Sequence, residues 1–202
     1  MKTNCPDGDL TETKIRTLLL SSTDFTQPKI VSYPGLRPAS VLLPIFCTEG
    51  EWHLLLTRRT DRVNDHKGQV SFPGGASEVN DTSPEITALR EAYEEIGINP
   101  DDVTILGRLP VLPTVSNYLV TPIIGRIPWP YEFKLSSEEV ERIFPVPLSW
   151  LSNPAHFEER PYARSDGSIH PVIFFKAYDG EVLWGISALM TIILLKTLKL
   201  IH

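Results

Sequence analysis

Three glutamates, Glu91, Glu94 and Glu95, stand at offsets 0, 3 and 4 in the segment Arg90-Glu91-Ala92-Tyr93-Glu94-Glu95-Ile96-Gly97-Ile98. In a helix these offsets gather the carboxylates within an arc of roughly 100°. The helix carries no lysine to balance them. Clustered hard oxygen ligands suit Mg²⁺ or Mn²⁺ and not Zn²⁺. Mg²⁺ commonly binds through a few carboxylates together with substrate phosphate. The pattern therefore points to divalent-metal chemistry on phosphates. Upstream, Pro73-Gly74-Gly75 is a turn whose backbone N–H groups can approach a pyrophosphate closely. Arg90 precedes Glu94 by one helical turn, within reach of an ion pair that fixes that carboxylate. The competing reading is a solvated acidic face.

The best helix runs over 83–96, with Ser83 as N-cap, Pro84 at the first helical position and Gly97 as the stop. Leu89, Ala92, Tyr93 and Ile96, with Ile86 beside them, form the expected sheet-packing face. Ser40 to Cys47 and Trp52 to Thr57 read as a hairpin, with Pro44 arguing for an edge or a bulge. Gln69 to Phe72, Val103 to Val111 and Tyr118 to Ile127 read as strands. The pattern predicts short helices at 10–20 and Ser137 to Phe144, a hairpin from His156 to Tyr178, and a closing helix at 184–200. Strands and helices alternate through one domain, giving an α/β (α+β) class. A helix and extended lead-in over 1–39 precede the catalytic domain, 40–202.

The chain has 202 residues, 42% hydrophobic and 22% charged, with net charge −6. An acidic surface argues against nucleic-acid binding, which needs a basic field. The apolar stretch Val182 to Leu195 falls short of the about 20 residues that span a bilayer, so no membrane partner is expected. The two cysteines, Cys5 and Cys47, read as free thiols in a reducing compartment. No secretory signal is read in the N-terminal segment, and a cytoplasmic protein is expected. A homodimer is left open.

Gly75 to Ile98 resembles the Nudix box, G-x5-E-x7-R-E-U-x-E-E-x-G-U. The second half, REAYEEIGI, matches at every fixed position. Asp81 stands where the first Glu is expected, the spacing from Asp81 to Arg90 is one residue longer, and Ala92 replaces a bulkier aliphatic residue. The resemblance implies an α/β/α sandwich around a mixed sheet. It also implies a metal-dependent pyrophosphatase, with Glu91, Glu94 and Glu95 as metal ligands and Arg90 in support.

The upstream stretch LLLTRRTDRVNDHKGQVSFPGG resembles the signature of the coenzyme A pyrophosphatase subfamily. Thr57, Arg59, His66, Gly68, Gln69, Val70, Phe72 and Pro73-Gly74-Gly75 match; Asn64 departs from an expected arginine, and Thr60 from Ser. That likeness implies hydrolysis of coenzyme A or acyl-CoA to 3′,5′-ADP and (acyl-)4′-phosphopantetheine. Arg59, Lys67, Gln69, Gly74 and Gly75 would hold the substrate, and Arg58 and Arg62 lie nearby. The proton acceptor is either a box glutamate or a loop acid; among the loop acids Glu138, Glu139 and Glu141, Glu139 is favoured, against a reading of all three as a solvated helix turn. Other substrates of the same chemistry are ADP-ribose, a dinucleotide or a nucleoside triphosphate. A non-catalytic nucleotide sensor is the third alternative.

Overall fold

The computed structural model describes residues 10–21, 35–61, 67–163 and 167–202. In chain order the elements are α1 (Glu12–Ser21), β1 (Arg37–Thr48), β2 (Glu51–Arg59), β3 (Val70–Ser71), β4 (Gly74–Ala76) and α2 (Pro84–Ile96). There follow β5 (Thr104–Arg108), β6 (Leu112–Pro113), β7 (Tyr118–Arg126), β8 (Val140–Pro147), α3 (Leu148–Leu151), β9 (Phe157–Ala163), β10 (Ile169–Phe175) and α4 (Gly185–Thr197).

The main sheet has the order β3-β2-β1-β7-β5, with β8 on β2, β4 on β1 and β6 on β7. β1 and β7 run parallel and the other pairs antiparallel, so the sheet is mixed. Side chains alternate faces along each strand. Leu43 and Ile45 of β1, Leu54 and Leu56 of β2 and Ile124 of β7 join a core with α1, α3 and α4. Their neighbours Leu42, Phe46, Leu55 and Ile123 join a second core with Ala88, Ala92 and Ile96 of α2. The result is an α/β/α sandwich. β9 and β10 form a separate two-stranded sheet.

Three expectations change. β1 is central and not an edge, despite Pro44. The Leu42 N–H donates to Pro73 O at 2.9 Å, and Pro44, two residues on, turns its nitrogen to the same side. There the β4 pairing has ended at Val41 and the β2 pairing begins only at Ile45, so no ladder bond is lost. Ser137 to Phe144 is not a helix. A turn leads into β8, where Phe144 and Val146 oppose Leu56 and Leu54 and pack into the core. Cross-strand burial outweighs the local helix preference. Cys47 is not free but disulfide-bonded; Cys5 lies outside the described residues.

β1 and β2 pair only near their shared turn, from Ile45↔Leu54 to Thr48↔Glu51. Beyond it, β3 enters along β2 at Thr57↔Ser71, and β4 leaves along β1 at Val41↔Gly74. Pro73-Gly74-Gly75 is thus wedged between diverging strands and held under α2.

Candidate active site

Helix α2 starts as its sequence dictates. Ser83, in extended conformation, accepts the Ile86 N–H through Oγ at 3.4 Å, and Pro84 follows. Gly97 ends it at φ 69°, a left-handed cap that favours glycine, with its N–H donated to Tyr93 O. The buried side is made by Thr87, Ala88, Ala92, Glu95 and Ile96, while Ile86 and Tyr93 are exposed. The expected sheet-packing face is therefore rotated. Glu95 belongs to the buried side, Glu91 to its margin and Glu94 to solvent.

Arg90 organises the loop before the helix. Its Nε and Nη2 donate to both oxygens of Asp81, at 3.3 and 3.0 Å. Nη2 also donates to Ala76 O at 3.0 Å, and Nη1 to Glu91 Oε1 at 2.9 Å and Glu94 Oε2 at 3.0 Å. One guanidinium thus ties β4, the following loop and two box acids together. The Arg90 hydrogen bonds hold the half-buried Asp81 carboxyl down at about 2. The Thr87 hydroxyl and Glu78 N–H also donate to it.

Glu95 is only 3% exposed. Burial pushes its carboxyl up to about 8, opposed by Arg59 and by a Gly74 N–H bond, and assisted by the charges of Glu139 and Glu91. The Arg59 Nη1 stands 3.7 Å from Glu95 Oε1. Burial also raises Glu91, against Arg90 and together with the charges of Glu94 and Glu139. The Gly75 backbone lies directly against the Glu91 carboxylate, and Gly74 lies against β1, where an added Cβ would fall 2.6 Å from Val41 Cα.

Among the described residues, no three His, Cys, Asp or Glu side chains stand close enough to hold a metal ion as they are placed. Glu94 is turned to Arg90. The donor chemistry nonetheless fits a hard divalent cation. Buried oxygens of like charge repel one another and lack full compensation, which a cation removes. Glu91 and Glu95 are the two carboxylates nearest that condition, with Glu94 adjacent.

Of the other expected residues, Arg59 reaches the site. Gln69 is half-buried, its carbonyl accepting the Arg59 N–H at 3.0 Å, and Lys67 is exposed beside it. Arg58 is instead engaged by Asp61, Glu141 and Glu181. Glu141 is thereby drawn away from the box, whereas Glu139 acts electrostatically on both Glu91 and Glu95. Arg62, Asn64 and His66 lie outside the described residues. That Asp81, itself held by the Thr87 hydroxyl, anchors Arg90 was not legible beforehand; a buried threonine six residues from an aspartate is too weak a signal.

The NUDIX domain profile matches residues 36–166. This chain belongs to the Nudix hydrolase family. An uncharacterized Nudix hydrolase NudL of Yersinia pestis (strain Pestoides F) is 40% identical over 152 residues, 75% of each chain. The NudL of Yersinia pseudotuberculosis serotype O:1b (strain IP 31758) aligns with the same figures. A C. elegans Ap4A hydrolase in a binary complex aligns at 20% identity and TM-score 0.48, over 55% of this chain and 80% of its own. The NUDIX domain of Shewanella oneidensis NrtR complexed with ADP ribose aligns at 16% and 0.44, over 64% and 83%. At those scores the superpositions carry no argument; the profile and the NudL identities do. In this Nudix hydrolase, the longer spacing and the shorter acid at Asp81 still leave a two-point contact with Arg90.

Proposed function

We propose that this Nudix hydrolase cleaves a diphosphate linkage with the help of Mg²⁺ or Mn²⁺, and that its substrate is coenzyme A or acyl-CoA. The products would be 3′,5′-ADP and (acyl-)4′-phosphopantetheine. The observation that carries the chemistry is the buried Glu95 and half-buried Glu91 beside the Gly74-Gly75 turn. Glu91, Glu94 and Glu95 would hold the cation, which when bound supplies charge neutralisation to phosphate oxygens and acidifies water.

The chain's own groups do the rest. Backbone N–H groups of the Gly74-Gly75 turn would orient the diphosphate, and Arg59, with Lys67 and Gln69 near it, would bind its outer phosphates. Arg90 keeps the box acids in register with β4. Glu139, exposed and near enough for its charge to act on Glu91 and Glu95, would take the proton of the attacking water. Phosphoryl transfer of this type depends on charge and position more than on covalent chemistry.

The coenzyme A assignment rests on the stretch from Leu54 to Gly75 that resembles the subfamily signature. The alternative, ADP-ribose, a dinucleotide or a nucleoside triphosphate, is favoured by Asn64 at the expected arginine. A sensor without activity is disfavoured by the intact acidic trio Glu91, Glu94 and Glu95. A cytoplasmic location fits the substrate, but the Cys47 disulfide speaks against it, since such bonds are rare there. Among the described residues no helix is long and apolar enough to cross a membrane. Incubation with Mg²⁺ and a substrate panel tests the proposal. Coenzyme A is expected to be cleaved fastest; preference for ADP-ribose would move the substrate, and no cleavage of any diphosphate would favour the sensor.

A further inference from the structure

A closed circuit of contacts runs through the site and includes a residue with no chemistry of its own. The Ser136 N–H donates to Glu95 O at 2.9 Å. The Glu139 N–H donates to Ser136 O at 3.0 Å, and the Thr60 N–H to Glu139 O at 2.9 Å. Thr60 follows Arg59, whose guanidinium returns to the Glu95 carboxylate at 3.7 Å. The Thr60 hydroxyl adds a second clamp, donating to Glu138 O at 2.9 Å. Thr60 is 7% exposed, so water cannot readily replace that bond.

The geometry points to Thr60 as a positioning residue that holds the Glu138-Glu139 turn against the end of β2, so that Glu139 and Arg59 approach Glu95 from fixed directions. This rests on the proposed function for its catalytic consequence, though not for the clamp itself. The turn is further held by the Val140 N–H, donated to Ser136 O at 2.8 Å, and by the Arg59↔Val140 pairing where β8 begins. Glu138 and Glu139 are exposed, and the chain before them reaches α2 through the Ser136 and Lys134 N–H groups bonded to Glu95 O and Ile96 O. Without the hydroxyl, Glu138 O loses its buried donor, and of the two Thr60 bonds to the turn only that from its N–H to Glu139 O remains.

The test uses Thr60→Val, which keeps the volume and removes the hydroxyl, Thr60→Ala as a second hydroxyl-free variant, and Thr60→Ser, which keeps the donor. Each is combined with Glu139→Gln. Thr60→Val is expected to lower kcat about tenfold with KM within about twofold, and Thr60→Ser to stay near wild type. In the Glu139→Gln background, Thr60→Val is expected to cost nothing further. Independently of activity, amide exchange at residue 60 is expected to quicken about tenfold in Thr60→Val and Thr60→Ala but not in Thr60→Ser. Unchanged exchange overturns the clamp. Wild-type kcat in Thr60→Val or Glu139→Gln, or a full further loss in the double variant, overturns the positioning role. A wild-type protein that cleaves no diphosphate defeats the proposed function instead, and exchange still decides the clamp.

Discussion

Gly75 lies so close to Glu91 that a Cβ on it would stand 2.6 Å from the carboxylate carbon and from both of its oxygens. The obstructed group is the end of a side chain, which can swing aside at small cost to the fold. It would then leave the place where Arg90 now holds it. Gly75→Ala is expected to keep its melting temperature within a few degrees and to lose about a hundredfold in kcat, the scale of a misplaced catalytic group. Thermal melts and turnover measured on one preparation check this. Equal losses of both would show that the glycine serves the fold alone.

Glu95 gives the site a pH signature. Its carboxyl is raised from 4.5 to about 8 in the folded protein. Between those values the folded state carries a proton that the unfolded state has released, so stability falls as pH rises through this window. Glu91 acts in the same direction. Urea midpoints of metal-free protein are expected to drop between pH 5 and pH 8, with a shallower slope in Glu95→Gln. The same variant is expected to lose at least about a hundredfold in turnover.

The helix ends, the glycine turn and the box spacing could be read from the sequence because each depends on local chemistry: Ser83 and Pro84 start α2, and Gly97 stops it. The faces of that helix could not. Periodicity put Tyr93 inside, but the helix sits with Ala88, Ala92 and Ile96 against Phe46 and Leu55, which leaves Tyr93 outside and Glu95 inside. Small residues let the helix approach the sheet, and this decides the rotation more than the largest apolar side chain does. The strand at Val140–Pro147 was likewise hidden, because its partner β2 is some eighty residues away and its preference comes from that pairing. At the site, the box acids are plain in sequence, whereas the Thr60 to Glu139 contact links segments that no spacing rule connects.

Asp81 anchors the arginine that holds the box. Its carboxyl lies at about 2, below its ordinary 3.8, so its contribution is present above 3.8 and is lost as pH falls toward 2. Asp81→Asn breaks a part-buried two-point pair and is expected to cost about 1–3 kcal/mol, measured by urea unfolding at pH 7. Turnover should fall with it, because Arg90 loses its hold on the loop. An unchanged urea midpoint would mean that Ala76 O and the glutamates suffice to hold Arg90.

Chelation separates the metal from the fold. EDTA is expected to abolish hydrolysis, and Mg²⁺ or Mn²⁺ to restore it. The ion should also raise the melting temperature more at pH 8 than at pH 6, because at pH 6 it must displace the proton on Glu95. Calorimetry at the two pH values reads this directly. An equal shift at both would place the bound ion away from Glu95.

Binding of Mn²⁺ followed by electron paramagnetic resonance is the most direct test of the central claim, that the acids of one helical turn hold a divalent ion. Wild-type protein is expected to bind the ion at a saturable site, and Glu91→Gln and Glu95→Gln to weaken that binding at least about tenfold while remaining folded. Equal Mn²⁺ affinity in all three proteins would contradict it.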